Sequence, residues 1–317
     1  MNNMNDTCKN EYICLSVIIP HYNSADSLRR LLNSIFISGA ENIEVIVVDD
    51  NSNQDIEKLD EIKKQFVPRT MFFSNTSGQN SAGTCRNIGL DHASGKWVIF
   101  CDADDLLCND WYETVSEDFD RNEDVIFYPP KSIDLQTGKP CGREIPYVKK
   151  IDDYLKGVKG AESRLRYNWF VPWSKMISRQ LIEGNNIRFE PVMYSNDVLF
   201  SSKVGSCSKK IRVNNKAIYC VTRSVGGLTD VKNRASLFVR DDVAIRNHLY
   251  LKDRITYQEK IDMGFFNLPY NRLTKAIKNR YSVSEIKELL GKFKENGIKL
   301  ITKEELSTPI RKILRRG

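Results

Sequence analysis

The stretch Gly95-Lys96-Trp97-Val98-Ile99-Phe100-Cys101-Asp102-Ala103-Asp104-Asp105 decides how the chain is read. Five apolar residues in a row, Trp97 to Cys101, follow a Ser94-Gly95 break. That is too short for a buried helix and fits a strand covered on both faces, as in a parallel sheet. The acidic run begins where the strand ends. Working outward, the same arrangement recurs three times on the N-terminal side. Leu15–Ile19 is a β-branched run that is expected to end at Pro20. Ile43–Val48 is a second strand, ending on Asp49-Asp50, and Thr70–Phe73 is a third. Helices are predicted between them. One follows an Asn23-Ser24 cap, carries Leu28, Leu31, Leu32 and Ile35, and closes at Gly39; the others run over Gln54–Phe66 and Ser81–Ala93. Strand and helix alternate from residue 15 to residue 105, which predicts a doubly wound α/β fold with a mainly parallel sheet. Ligands in such sheets bind beyond the carboxyl ends of the strands. Those ends carry Pro20-His-Tyr-Asn23, Asp49-Asp50 and Asp102-Ala-Asp-Asp105.

Downstream the pattern loosens. Val125–Tyr128 reads as a strand, Pro129–Tyr147 as a loop or hairpin, Tyr194–Cys207 as a helix and Ala217–Thr222 as a strand. Arg223-Ser-Val-Gly-Gly227 reads as a flexible turn, and from about Thr229 the chain reads as helical. Ser282 and Glu285 have capping-box spacing. Val283, Ile286, Leu289, Leu290 and Phe293 follow as one apolar stripe, with Gly297 as the stop.

The 317 residues carry 48 Lys+Arg and 41 Asp+Glu, a formal charge of +7. The surplus is uneven. Residues 231–317 hold 20 basic and 10 acidic residues, and residues 1–230 hold 28 and 31. Bulk charge on the α/β region therefore gives no support to nucleic-acid binding, and no motif adds any. The eight cysteines include no C-x-x-C pair and there are only three histidines, so zinc has little support and reduced thiols in a cytosolic protein are expected. No apolar run approaches the roughly 18 residues of a membrane span. The polar MNNMNDTCKNEY start does not have the form of a secretory signal.

Carboxylates clustered at a strand end are hard oxygen donors. They suit Mg²⁺ or Mn²⁺, which also take oxygens from a substrate diphosphate. A solvated acidic turn or a helix cap is the competing reading, and for Asp105 the choice stays open.

Four segments carry a family resemblance. Ser16-Val-Ile-Ile-Pro-His-Tyr-Asn23, Glu44-Val-Ile-Val-Val-Asp-Asp-Asn-Ser52, Gly83-Thr-Cys-Arg-Asn-Ile-Gly89 and Gly95–Asp105 resemble, in order and spacing, the family 2 glycosyltransferases of the GT-A fold. The resemblance is specific over about residues 14–110 and traceable to about residue 230. It implies an inverting enzyme that moves a sugar from a nucleotide sugar, UDP favoured, to a glycan or a polyprenyl-diphosphate-linked sugar, in polysaccharide synthesis. Residues 1–12 would then be a polar tail and 13–228 the catalytic domain, with a nucleotide half (13–110) and an acceptor half (111–228). Residues 229–317 would be a helical basic region. Pro20 and Tyr22 would hold the base and Asp50 would accept its N–H. Arg86 would approach the base or diphosphate, with an ion pair to a nearby aspartate as the alternative. Asp102 would face the ribose or the metal, Asp104 would be the main Mn²⁺ or Mg²⁺ ligand, and Arg223 would meet the diphosphate from a mobile loop. Asp197 in Ser195-Asn-Asp-Val-Leu-Phe200 would be the general base. Trp169, Trp173, Tyr194 and Asn196 would face the acceptor, although core packing competes for each tryptophan.

The terminal segment from Thr308-Pro309 to Arg316 offers Ile310, Ile313 and Leu314 among cations. An anionic membrane surface on the cytoplasmic side or a homo-oligomer contact would use such a face. Two other functions compete. A sugar nucleotidyltransferase would want a Gly-rich phosphate loop after the first strand, which Pro20–Asn23 is not, and a non-catalytic nucleotide-sugar-binding protein would not need both Asp104 and Asp197.

Overall fold

The computed structural model describes residues 12–223 and 233–300. Its first half alternates as the sequence predicts: β1 (Leu15–His21), α1 (Ala25–Phe36), β2 (Ile43–Asp49), α2 (Ile56–Phe66), β3 (Thr70–Ser74), α3 (Ala82–His92) and β4 (Trp97–Phe100). These are followed by β5 (Leu106–Leu107), α4 (Trp111–Ser116), β6 (Val125–Phe127), β7 (Pro130–Asp134), α5 (Ile145–Leu155) and α6 (Ala161–Asn168). Then come β8 (Lys175–Ser178), α7 (Arg179–Gly184), α8 (Asn196–Cys207), β9 (Ile211–Val213) and β10 (Tyr219–Arg223). The C-terminal region is α9 (Arg234–Lys252), α10 (Tyr257–Met263), α11 (Leu268–Lys278) and α12 (Val283–Glu295).

The main sheet has seven strands in the order β3-β2-β1-β4-β8-β6-β9. β3, β2, β1 and β4 are parallel, and β8 runs antiparallel to both β4 and β6. The chain thus has the α/β GT-A type of core. β1 is buried along its whole length and has α1 on one face and α3 on the other, which is why Leu15 and Val17–Ile19 are apolar. The strand does not stop at Pro20 but runs on to His21. Alternation explains why the proline is tolerated. The Ile18 carbonyl accepts from Cys101 on the β4 side, and the His21 carbonyl accepts from Asp50 on the β2 side. Pro20 therefore faces the β4 side, beyond the point where β4 has ended, so its missing N–H removes no ladder bond.

Helix α3 lies unusually close to β1. A Cβ at Gly89 would sit 2.4 Å from Ile18 Cγ2. Gly89→Ala is expected to cost about 1–3 kcal/mol through overpacking. A urea unfolding midpoint measures it.

One expectation for the middle of the chain is corrected. Pro129–Tyr147 is not all loop: β7 pairs in parallel with β10, and α5 begins at Ile145. The pairing was invisible locally because β7 and β10 lie some ninety residues apart and neither alternates cleanly. Together with β5 they make a second, three-stranded sheet. In the C-terminal region the Ser282–Glu285 capping box forms, and Leu289 and Phe293 are buried with Ile245, Ala276 and Tyr281. Val283, expected in that stripe, is exposed, because it sits on the first turn beyond the reach of α9 and α11. A second capping box, Thr256–Glu259, starts α10. Gly226-Gly227 and the Thr308–Arg316 segment lie outside the described residues. Among those described, no helix is long and apolar enough to cross a membrane, and the cysteines are free thiols.

Candidate active site

The carboxyl ends of β1, β2 and β4 meet at one edge of the sheet. At the β1 end Tyr22 is 53% exposed, with its ring open to solvent. The loop that carries it is pinned from below. His21 Nδ1–H donates to Asp49 Oδ1 at 2.7 Å, and His21 Nε2 accepts from the Ser24 amide at 3.3 Å. Asp49 also accepts from the Ser52 hydroxyl (2.6 Å) and amide (2.9 Å). Its oxygens are thus engaged within the protein. Asn23 does not cap α1 through its side chain. Its Oδ1 accepts from the Asn53 and Gln54 amides at 2.9 and 3.1 Å, which ties the β1 loop to the β2 loop. Asp50 is buried and accepts from Asn75 Nδ2 at 2.6 Å.

The acidic run after β4 divides by environment. Asp105 is buried, and both of its oxygens are taken: Tyr219 donates its hydroxyl at 2.7 Å and Thr222 its amide at 2.6 Å. Burial pushes its carboxyl well above the usual carboxylate range, Asp104 and Asp102 add to the rise, and the two donors pull it back. Asp105 thus joins the strand end to β10. Asp104 keeps an open face to solvent, and its carboxylate makes no hydrogen bond to another side chain among the described residues. Protein on its other sides strips enough water to push the carboxyl up, and the Asp102 charge pushes it further. Asp102 is partly open. Ligand oxygens of Asp102, Asp104 and Asp105 lie within 4.8 Å of one another. With Asp105 engaged, Asp102 and Asp104 are the pair that can reach a hard divalent cation. Two close carboxylates, one of them resisting ionisation, are a donor set that such a cation fits.

Arg86, on the first turns of α3, links this cluster to the second acidic motif. One terminal nitrogen donates to Asp102 Oδ1 at 2.5 Å and the other to Asn196 Oδ1 at 2.9 Å. The guanidinium is buried, lies 5.3 Å from the Phe189 ring centroid, and leaves its Nε without a partner. Arg86 thus adopts the ion pair with a neighbouring aspartate. The approach of α3 to the 190–196 segment requires glycine at residue 83, where a Cβ would lie 2.5 Å from the Glu190 carbonyl and 2.9 Å from Asn196 Cβ.

Asp197 stands on the first turn of α8. Burial pushes its carboxyl up; the Arg86 charge opposes the shift, the Asp102 charge adds to it, and Lys175 opposes it. Tyr147 on α5 faces the same region, its phenol raised to about 12 by burial and by the Asp197 charge. Asn196 is buried between Arg86 and the Val192 carbonyl, 3.2 Å from its Nδ2, and faces the protein interior.

The aromatic residues expected to face the acceptor are not brought together. Trp169 is 1% exposed and packs on Tyr147 and Phe127. Trp173 is stacked on Tyr219 at 5.3 Å. Both tryptophans belong to the core, because β8 and the 169–173 segment run inside the sheet layer. Tyr194 is partly exposed, with the Arg240 guanidinium 5.2 Å from its ring centroid. Arg223 is exposed at the end of β10.

Two residues near the site were missed in the sequence. Arg143 donates to the Thr222 carbonyl at 2.7 Å, and its charge bears on both Asp104 and Tyr147. It lies in a stretch without periodicity, so no local signal marked it. Lys175 is buried at the head of β8. A charged residue opening the apolar Lys175-Met-Ile run was the available sign.

Residues 16–162 match the family model described as glycosyl transferase family 2. The chain is 23% identical over 232 residues to the uncharacterised glycosyltransferase EpsJ of Bacillus subtilis, covering 70% of this chain and 65% of that protein. It is 27% identical over 226 residues to the glycosyltransferase GlyA of Streptococcus pneumoniae, covering 68% and 32%. It is also 27% identical over 217 residues to TarS of Staphylococcus aureus, a poly(ribitol-phosphate) β-N-acetylglucosaminyltransferase, covering 67% and 36%. The match thus spans between about a third and two thirds of these relatives' lengths. Among solved structures, TarS 1–349 in complex with UDP-GlcNAc superposes with a TM-score of 0.72 at 22% identity, covering 90% of this chain and 82% of that one. The mannosyltransferase PcManGT of Pyrobaculum calidifontis, in complex with GDP-Man and Mn²⁺, gives a TM-score of 0.55 at 17% identity, covering 95% and 84%. Family model, strand-end motifs and fold agree: residues 16–162 match the family 2 glycosyltransferases, and the chain has a GT-A type of fold and resembles bacterial glycosyltransferases such as TarS.

Proposed function

We propose that the chain is an inverting, metal-assisted glycosyltransferase. It would move a sugar from a UDP-sugar to a hydroxyl of a glycan or polyprenyl-linked sugar in polysaccharide synthesis, on the cytoplasmic side. The observation that carries this reading is the Arg86 bridge. It holds Asp102, beside the donor-side cluster, and Asn196, beside Asp197, on one guanidinium, although Arg86 and Asn196 are 110 residues apart.

Pro20 and Tyr22 would receive the base, with the open Tyr22 ring stacking on it and Asp50 accepting its N–H. Asp104 and Asp102 would hold Mn²⁺ or Mg²⁺, which when bound offsets the charge that develops on the departing nucleoside diphosphate. Arg223 and Arg143 would meet the same diphosphate with planar donors. Asp197 takes the proton of the acceptor hydroxyl. A bond then forms from that oxygen to the anomeric carbon as the bond to the diphosphate breaks on the opposite face, so the configuration inverts. Tyr194 is the remaining acceptor candidate with an open face. The UDP-GlcNAc held by TarS supports UDP as the nucleotide.

A thermal-shift panel of nucleotide sugars with and without Mn²⁺ tests donor and metal together. At about 100 times Kd a ligand adds ~2.7 kcal/mol to apparent stability. The expected result is a shift with a UDP-sugar that needs the metal; no shift with any nucleotide sugar sinks the reading. Asp104→Ala is expected to abolish the Mn²⁺-dependent part of the shift while the metal-free baseline stays put. Calorimetry showing equal Mn²⁺-dependent nucleotide affinity in that variant removes Asp104 as ligand.

The basic C-terminal region would face an anionic membrane. On α11 the exposed Tyr270 and Ile277 stand among Lys275 and Lys278. The full chain is expected to pellet with phosphatidylglycerol vesicles more than a chain lacking residues 301–317, and equal pelleting removes the idea.

A further inference from the structure

The lysine that opens β8 has no role in the reaction as written above. Lys175 is 1% exposed. A buried ammonium normally has a carboxylate in contact. This one instead donates to the Trp169 carbonyl at 3.2 Å and to the Ser201 hydroxyl at 3.1 Å, both neutral. Ser201 in turn donates to the Phe170 carbonyl at 2.6 Å, so the ammonium closes a polar network between the 169–170 segment, β8 and α8. Ser201 is four residues beyond Asp197 and on the same side of α8. Asp197 is the charge that acts on Lys175, and Lys175 in turn favours ionised Asp197.

We propose that Lys175 is a positioning residue for Asp197: through Ser201 it holds the first turns of α8, and its charge adds to that of Arg86 in favouring ionised Asp197. The inference rests on the reading of Asp197 as the base. The other groups that bear on Asp197 do not substitute for it. Arg86, from α3, is the larger charge favouring the ionised form, but it is paired with Asp102, whose own charge opposes it. Tyr147, from α5, is a neutral phenol. Among the described residues, Lys175 has no carboxylate in hydrogen-bond contact, so its field is not offset locally.

Stability alone does not explain the residue. Burial pulls the Lys175 ammonium down to about 7, against an ordinary 10.5. The folded chain therefore holds this proton less tightly than the unfolded chain. The resulting loss of stability grows as pH falls from 10.5 and is complete below about 7. Methionine would fill similar volume without that loss.

The test is Lys175→Met in the full chain, with kcat followed against pH at saturating donor. The variant is expected to melt within a few degrees of the wild type, which separates its effect from misfolding. Its kcat at pH 7 is expected to fall about tenfold. Its acid limb is expected to move up by roughly one pH unit, the low end of the effect of a nearby opposite charge. Lys175→Arg is expected to return the acid limb toward its wild-type position. An acid limb that stays in place in a folded Lys175→Met chain overturns the inference. Should that variant not fold, NMR titration of the Lys175 Cε signal decides the question. The midpoint is expected to fall in Asp197→Asn relative to wild type, and an unmoved midpoint overturns the coupling. Turnover in Asp197→Asn separates the two readings. If turnover survives there, the base assignment fails and takes this inference with it. If turnover is lost while the Lys175→Met limb stays put, the inference fails alone.

Discussion

Asp197→Asn is expected to lower kcat about a thousandfold, within the roughly 10²–10⁴ that general-base catalysis contributes, while affinity for the nucleotide sugar is unchanged. The amide keeps the shape of the side chain and removes its capacity to take a proton. The same substitution is expected to raise the melting temperature at neutral pH. Burial lifts the Asp197 carboxyl above the usual carboxylate value. A raised folded value means that the native chain binds this proton more tightly than the unfolded one. The carboxylate therefore costs stability once the pH climbs from the unfolded value through the folded one, and asparagine has no such cost. For the same reason the acid limb of wild-type kcat is expected above the ordinary aspartate range, since the base must be ionised to act. Stopped or coupled UDP-release assays across pH, alongside thermal melts, check all three outcomes. Wild-type turnover in Asp197→Asn would falsify the base assignment.

Arg86→Ala is expected to have the second large effect, and on two properties at once. Two hydrogen bonds are lost, one of them to an ionised carboxylate, at about 1.5–3 kcal/mol for a charged partner. Asp102 is then left facing Asp104 and Asp197 without its counter-charge. Activity is expected to fall by at least about a hundredfold, because on the proposed roles the bridge would set the distance between donor and acceptor motifs and an error of ~1 Å in such placement has that cost. Lysine cannot restore it. A single ammonium has no planar fork to span Asp102 and Asn196 together. The expected reading is therefore a lower urea midpoint and a lower kcat/KM in both Arg86→Ala and Arg86→Lys. An Arg86→Lys chain with native stability and activity would show that the bridge does not position the site.

Some of this was legible in the amino-acid order. A strand buried on both faces must be mostly apolar, and such runs occur from Leu15, Ile43 and Trp97, each followed by polar or acidic residues. Local physics sufficed there, because burial and turn chemistry act over five to ten residues. It sufficed again at the Ser282–Glu285 capping box. It failed where pairing is non-local. β10 was marked as a strand by its own residues, but β7 has no pattern of its own and becomes a strand through β10, which also fixes Asp105 through Tyr219 and Thr222. The tryptophans show the same limit. An aromatic in a mixed segment looks equally suited to a sugar face or to the core, and packing on Tyr147 and Tyr219 decided for the core.

The sequence by itself determined the succession of the first four strands and the polar edge beyond their carboxyl ends, which follow from periodicity and from residue types at strand ends; the family entered through the resemblance of four segments. Only the tertiary structure decided which carboxylates are engaged and which are open. Asp49 and Asp105 are engaged by donors within the protein, Asp104 keeps an open face beside Asp102, and Asp197 is the charge that acts on a buried lysine. Four of these five stand in two short acidic runs, Asp49-Asp50 and Asp102–Asp105, and residue type cannot separate them. What does so is where the hydrogen-bond donors and the water lie, and that depends on residues up to 117 positions away.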